Sequence, residues 1–247
     1  MKFSNIIGIL SILMFVISCG PKLPDNYHMD KKYWDTEDYD AALRYMKYTL
    51  KEEEGYPRLS DSLTAPVFNK LIDKQNVSIV LEDEQLGLKH RDEVAQKFFD
   101  VSKDLFKIYQ VIDIQDKFVY PVELVRVIDF GLYTQILYFR IGNDAIIKDS
   151  VNPDDSDTKR VLKRNEQTIA DNFNIYLELL AKEDAFNDTA INEYANVINV
   201  RFHKLIDEFP MANYSTIKKS ANLLINKVNS PDLKIALEDL VKKIDEK

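Results

Sequence analysis

Cysteine is almost missing from this chain: Cys19 stands alone among 247 residues. One thiol forms neither an internal disulfide framework nor a cysteine metal cluster, so the fold must rest on its core. Glycine and proline are scarce too, 6 and 8 in all, fewer than an all-β protein with many tight turns requires. Histidine is rarer still, and His28, His90 and His203 are too far apart to sit at metal-ligand spacing. There is no glycine-rich phosphate loop and no serine in a nucleophile elbow. These absences point to a non-enzyme, with no catalytic set, metal or cofactor to expect. Positive charge is in deficit, 33 Lys and Arg against 41 Asp and Glu for a net charge of −8, which argues against a nucleic-acid partner. Long apolar runs are also lacking. The uncharged stretch Ile6 to Ile17 has 12 residues, short of the roughly 20 that a spanning helix needs.

That short run has its own meaning. Lys2 precedes it and Val16-Ile17-Ser18-Cys19 closes it, giving a basic start, an apolar centre and a small residue before a cut. These four residues resemble the lipobox of bacterial lipoproteins. The resemblance implies that residues 1–18 are a cleaved signal peptide and that Cys19, acylated through a diacylglyceryl thioether, becomes the first residue of the mature chain. Acyl chains contribute about 0.8 kcal/mol per buried methylene, enough for two of them to hold a soluble domain at a membrane surface. Gly20 differs from the aspartate that retains enterobacterial lipoproteins in the inner membrane, so the resemblance favours the outer membrane. Cleavage removes Lys2 and leaves 32 basic against 41 acidic residues, a net charge of −9.

Residues 19–34 are expected to form the lipidated cysteine and a tether. Gly20 to Asn26 has two prolines and no apolar periodicity, while the aromatics from Tyr27 to Trp34 should pack back on the domain. Residues 35–247 read as a single all-α domain, a bundle or stacked hairpins of about seven helices. The periodicity predicts a helix from Asp35 or Thr36 to the acidic stretch Glu52-Glu53-Glu54, and a short one capped by Thr64. It predicts an extended segment near residues 76–81, where Val77, Ile79 and Leu81 alternate. A long amphipathic helix should run from Lys89 to Ile114, then a central helix from Pro121 to about Lys148, apolar almost all round. Further helices should start after the loop at Asp149 to Asp157, at the cap Asp188 or Thr189, at Ser215, and at Ser230-Pro231. Tyr39 to Met46 resembles the second helix of a tetratricopeptide repeat, but no second copy recurs at about 34 residues.

Several positions are candidate contacts for a ligand or partner. Glu123, Arg126, Asp129, Arg140 and Asp144 share one stripe of the central helix. Their spacing predicts an intrahelical ion-pair ladder or, in a functional reading, a charged wall where Arg126 and Arg140 receive an anion. Gly131 and Gly142 lie opposite and mark close helix approach. His203 and Asp207, four apart on a polar stripe, have the spacing of a proton-transfer pair or of a solvated face. The loop Asn152 to Asp157 gathers oxygen donors, but it lacks the glycine and terminal glutamate of an EF-hand and fits helix capping better. Phe98, Phe99, Phe106, Tyr109, Phe130, Tyr133 and Tyr138 form a core or line an aromatic pocket for a small molecule or glycan. Three triplets, starting at Asp61, Asp149 and Asp188, resemble an O-glycosylation sequon of exported bacterial proteins. The functional expectation is an interaction or assembly subunit of an envelope complex, held to the membrane by Cys19 and working with a protein partner.

Overall fold

The computed structural model describes residues 22–50 and 55–247; Cys19 and Glu52-Glu53-Glu54 lie outside them. The described residues are helical, with one isolated antiparallel bridge and no sheet. Helix α1 (Thr36–Thr49) is started by Asp35, whose carboxylate accepts from the Glu37 and Asp38 amides while Asp38 accepts from the Asp35 amide. Helices α2 (Ala65–Leu71) and α3 (Lys74–Leu81) come next. The extended segment expected near residues 76–81 is therefore helix. Asp73 caps it by accepting from the Gln75 amide at 2.9 Å. Val77 and Leu81, four residues apart, are fully buried, whereas Ile79 between them is 48% exposed. The apparent alternation is a helical stripe sampled at every second residue.

The long helix α4 (Leu88–Tyr109) ends before Ile114. Beyond it the Asp113 carboxylate accepts from the Gln115 and Lys117 amides at 2.8 and 2.9 Å, and Asp116 takes a positive φ of 58°. This side-chain-nucleated turn competes with helix propagation, and Ile112 bridges to Phe118 across it. Helix α5 (Pro121–Asp149) opens with proline, whose missing N–H is unneeded in a first turn. The contacts Tyr109–Tyr120, Ser102–Gly131 and Phe99–Tyr138 show α4 and α5 running antiparallel. Likewise Gly131 meets Tyr176, and Gly142 meets Asn165, of α6 (Ser156–Glu178). A Cβ at either glycine would meet these neighbours at 3.5–3.9 Å, ordinary contact distances. Asp155 caps α6 by accepting from the Thr158 amide at 2.7 Å, which is the role expected of that acidic loop.

A 3₁₀ segment, Leu179–Ala185, leads to α7 (Asp188–Val197), which is capped by the Asn187 side chain instead of Asp188 or Thr189. Helix α7 continues through a π-helical turn, Ile198–Phe202, into α8 (His203–Glu208). Helices α9 (Ser215–Ile225) and α10 (Pro231–Asp245) pack on each other, α9 also on α6 and α10 on α7. The central position belongs to α5, which touches α3, α4, α6 and α7; Leu124, Ile128, Leu132 and Ile136 have no exposed surface. No helix among the described residues is long and apolar enough to cross a membrane.

The aromatic N-terminal segment folds back. Trp34 is 1% exposed; its indole N–H donates to the His28 carbonyl at 2.9 Å, and its amide donates to Asn76 Oδ1 at 2.8 Å. Buried Asp38 receives the Lys31 ammonium at 2.6 Å and bonds to His28 Nδ1. Burial works to raise the Asp38 pKa, but these bonds outweigh it and hold the carboxyl below its ordinary value.

Candidate functional site

The polar stripe of α5 faces a gap between α3 on one side and α7 with α8 on the other. It pairs outward, across that gap, and not along its own helix. The Arg126 guanidinium donates from Nε and Nη2 to the Glu193 carboxylate of α7 at 2.9 and 2.8 Å. Asp129 accepts from Arg201 Nε at 2.6 Å and from the Lys74 ammonium of α3. Arg140 lies 3.8 Å from Glu82 and 4.0 Å from Glu208, and Glu123 accepts from the Leu59 amide at 2.7 Å. The expected intrahelical ladder is thereby replaced by an interhelical one. Its reason is geometric: charges on the facing helices reach the stripe directly, whereas neighbours three or four residues apart gain only about 0.2–0.5 kcal/mol.

Asp129 is the centre of this seam. Burial acts to raise its pKa, but the hydrogen bonds and charges of Arg201 and Lys74 dominate and keep it ionised below the usual carboxylate range. Arg201 is 9% exposed and belongs to the π-helical turn. Its guanidinium carbon lies 5.3 Å from the Tyr133 ring centroid, and the Lys74 ammonium lies 5.9 Å from the same ring. Tyr133 is thus a buried ring with two cations close to it. Burial pushes its hydroxyl pKa up, against the opposing effect of a hydrogen bond with Ser78. A cleft of about 280 Å³ opens beside the cluster, lined by Ile72, Lys74, Arg126, Asp129, Glu193 and Asn196. Chemically it is a zwitterionic recess, with arginine and lysine donors beside carboxylate acceptors. Among the described residues no group of three His, Asp or Glu converges as a metal site.

His203 and Asp207 do not form the pair that their spacing suggests. Asp207 takes Lys243 of α10 at 2.6 Å, and His203 Nε2 is buried with no hydrogen-bond partner. Burial, reinforced by Lys243, lowers the imidazole pKa and favours the neutral ring. These two residues face α10, so the structure separates them from Arg126, Tyr133 and Arg140 on the seam.

The aromatic stripe also divides. Phe98, Tyr109 and Phe130 are core, at 1% exposure or less, whereas Phe99 and Phe106 reach the surface and border a smaller cleft between α4 and α6. Lys74, Glu193 and Arg201 give no signal in the sequence. Each looks like an ordinary helix-surface charge, and the partner of Arg201 is 72 residues away. Comparison with protein-family models, with curated proteins and with solved structures finds no match to this chain.

Proposed function

We propose that this chain is a lipid-anchored helical protein of the bacterial envelope, acylated at Cys19, that serves as an interaction or assembly subunit. The observation that carries the reading is the uncharged apolar run ending in Val16-Ile17-Ser18-Cys19. The neighbouring residues support it: Leu23, four positions past Cys19, already packs against the core, so the anchor and the helices are closely joined. The charged recess beside Arg126, Asp129 and Glu193 offers donors and acceptors to a partner's polar groups. The outer membrane is the expected site.

The experiment is a comparison of wild type with Cys19→Ser. Wild type should enter the detergent phase on phase separation, and mass spectrometry should find an N-terminal peptide that starts at Cys19 and carries acyl mass. Cys19→Ser should stay in the aqueous phase. A mature N terminus elsewhere, or an unmodified thiol at Cys19, would refute the anchor. For the assembly role, cross-linking in intact membranes should give a discrete heteromeric product that is weakened by charge reversal at Arg126 or Glu193. Recovery of the acylated chain solely as a monomer would count against it.

A further inference from the structure

The second cleft lies on the face of the bundle where α4 and α6 part above α5, away from the charged seam. Its walls are Phe99 and Phe106 from α4 and Ile175 and Tyr176 from α6, and Gln135 of α5 lies among its lining residues. Ring contacts brace the walls. Phe106 stands edge-on to Tyr176 with centroids 5.0 Å apart, and Phe99 stacks on Tyr138 at 5.0 Å.

Two features call for an occupant. Gln135 is 1% exposed; its Nε2 donates to the Tyr176 hydroxyl at 3.1 Å, but its Oε1 is buried with no partner. Reversing the amide changes only which end is bonded, since the Tyr176 hydroxyl can give or take the bond; one polar atom stays unmatched. A buried, unsatisfied carboxamide atom is costly unless something arrives to bond it. The second feature is Ile175, 57% exposed on the rim, which leaves apolar surface in water.

Size decides what fits. The cleft holds about 190 Å³, below the roughly 300–1,000 Å³ of small-molecule pockets and suited to one large side chain. Charge narrows the choice further. Lys103 and Lys107 border the cleft in a chain that is otherwise net negative; Lys103 is shared with Asp100 at 2.7 Å and lies 4.6 Å from the Phe99 ring centroid.

We propose that this cleft seats a single tyrosine or tryptophan side chain presented by an acidic segment of a partner protein. The ring lies between Phe99, Phe106 and Ile175, its O–H or N–H meets the Gln135 carboxamide as that side chain turns toward the cleft, and flanking carboxylates meet Lys103 and Lys107. Aromatic anchors in small rigid pockets are the usual hot spots of protein interfaces. The inference deepens the interaction role proposed above and rests on it for biological meaning, but it reads the helices and not the anchor.

The test uses the full protein as isolated, in detergent micelles, labelled at isoleucine methyl groups and titrated with capped heptapeptides. Each peptide carries Asp and Glu on both sides of a central Tyr, Trp, Phe or Ala. The Tyr and Trp peptides should shift the Ile175 methyl signal saturably, with a Kd of about 0.1–1 mM, the strength expected of one anchor residue. The Phe peptide should bind about fivefold more weakly, the worth of one hydrogen bond, and the Ala peptide should not saturate. Lysine flanks should weaken binding severalfold. Gln135→Leu, a substitution of similar volume, should keep binding but abolish the preference for Tyr over Phe. Ile175→Glu, at an exposed site, should abolish binding in a protein that remains folded. Equal response to the Ala peptide, unchanged Tyr preference in Gln135→Leu, or binding of free indole-3-acetate as tight as that of the Trp peptide would overturn the proposal. Failure of acylation at Cys19 would leave this titration unaffected, so the two readings fall separately.

Discussion

Asp129 joins three helices through two cations, and its value to stability can be read from burial. Arg201 is 9% exposed but the Asp129 side chain is 26% exposed, so the pair lies between a surface bridge worth under about 1 kcal/mol and a buried one whose disruption costs about 3–5 kcal/mol. Asp129→Asn should therefore destabilise by about 2 kcal/mol in urea unfolding. Pairing it with Arg201→Met, which removes the stranded charge, should recover most of that loss. The exposed pair Lys218–Asp245 should cost no more than about 0.5 kcal/mol when broken. Acid titration offers a second check at this scale. Asp38 and Asp129 both have folded pKa values below their unfolded value of about 3.9. Their contribution is present above that value and is lost as pH falls through the folded pKa. Trp34, the single tryptophan, is tied to the segment that Asp38 holds. Its emission should shift to the red below about pH 4, before the helical circular dichroism signal falls. In Asp38→Asn the shift should already be present at neutral pH. A Trp34 signal that changes only together with global unfolding would show that Asp38 does not clamp the segment.

At the scale of elements, the glycines of α5 are less constrained than their position suggests. A Cβ added at Gly131 would meet Ser102 Cβ at 3.7 Å, an ordinary contact, and glycine in a helix interior costs roughly 0.5–1 kcal/mol relative to alanine. Gly131→Ala should raise the melting temperature slightly, whereas a larger residue such as leucine should lower it through overpacking against α4 and α6. Helices with a strong apolar stripe are legible from the chain alone, α5 above all, because periodicity and the opening proline agree. Where legibility fails, the deciding contact is distant or the local signal is overruled. The helix at residues 74–81 is secured by Asn76, which accepts from the Trp34 amide and donates to the Tyr39 hydroxyl at 3.0 Å, bonds that no local window contains. Apolar spacing continues past Tyr109 as far as Ile114, yet Asp113 ends the element by bonding the Gln115 and Lys117 amides. The charged seam is half visible: the stripe on α5 can be read, but not its partners. Arg201 reaches Asp129 from a π-helical turn, and a wider turn shifts the phase of every residue after it in a way that a 3.6-residue count does not register.

The whole molecule is organised by one continuous core that runs from Tyr27 through α5 to Leu240, so the N-terminal segment belongs to the same packed unit as the last helix. Two faces of that unit carry different chemistry. The seam between α3 and α7 is zwitterionic, and the cleft between α4 and α6 is aromatic with a basic rim. In the proposed assembly role, two such faces would let the chain touch two neighbours at once. Leu23, already seated on the core, sets the geometry in which it would do so. Cys19 to Leu23 is four residue steps, and an extended chain covers at most about 3.6 Å per step, or roughly 14 Å. With the proposed acylation at Cys19, so short a leash would hold the folded core near the lipid headgroups. It would meet its neighbours by sliding in the plane of the bilayer, a search in two dimensions, and only partners whose acidic segments come within that thin layer would ever be within its grasp.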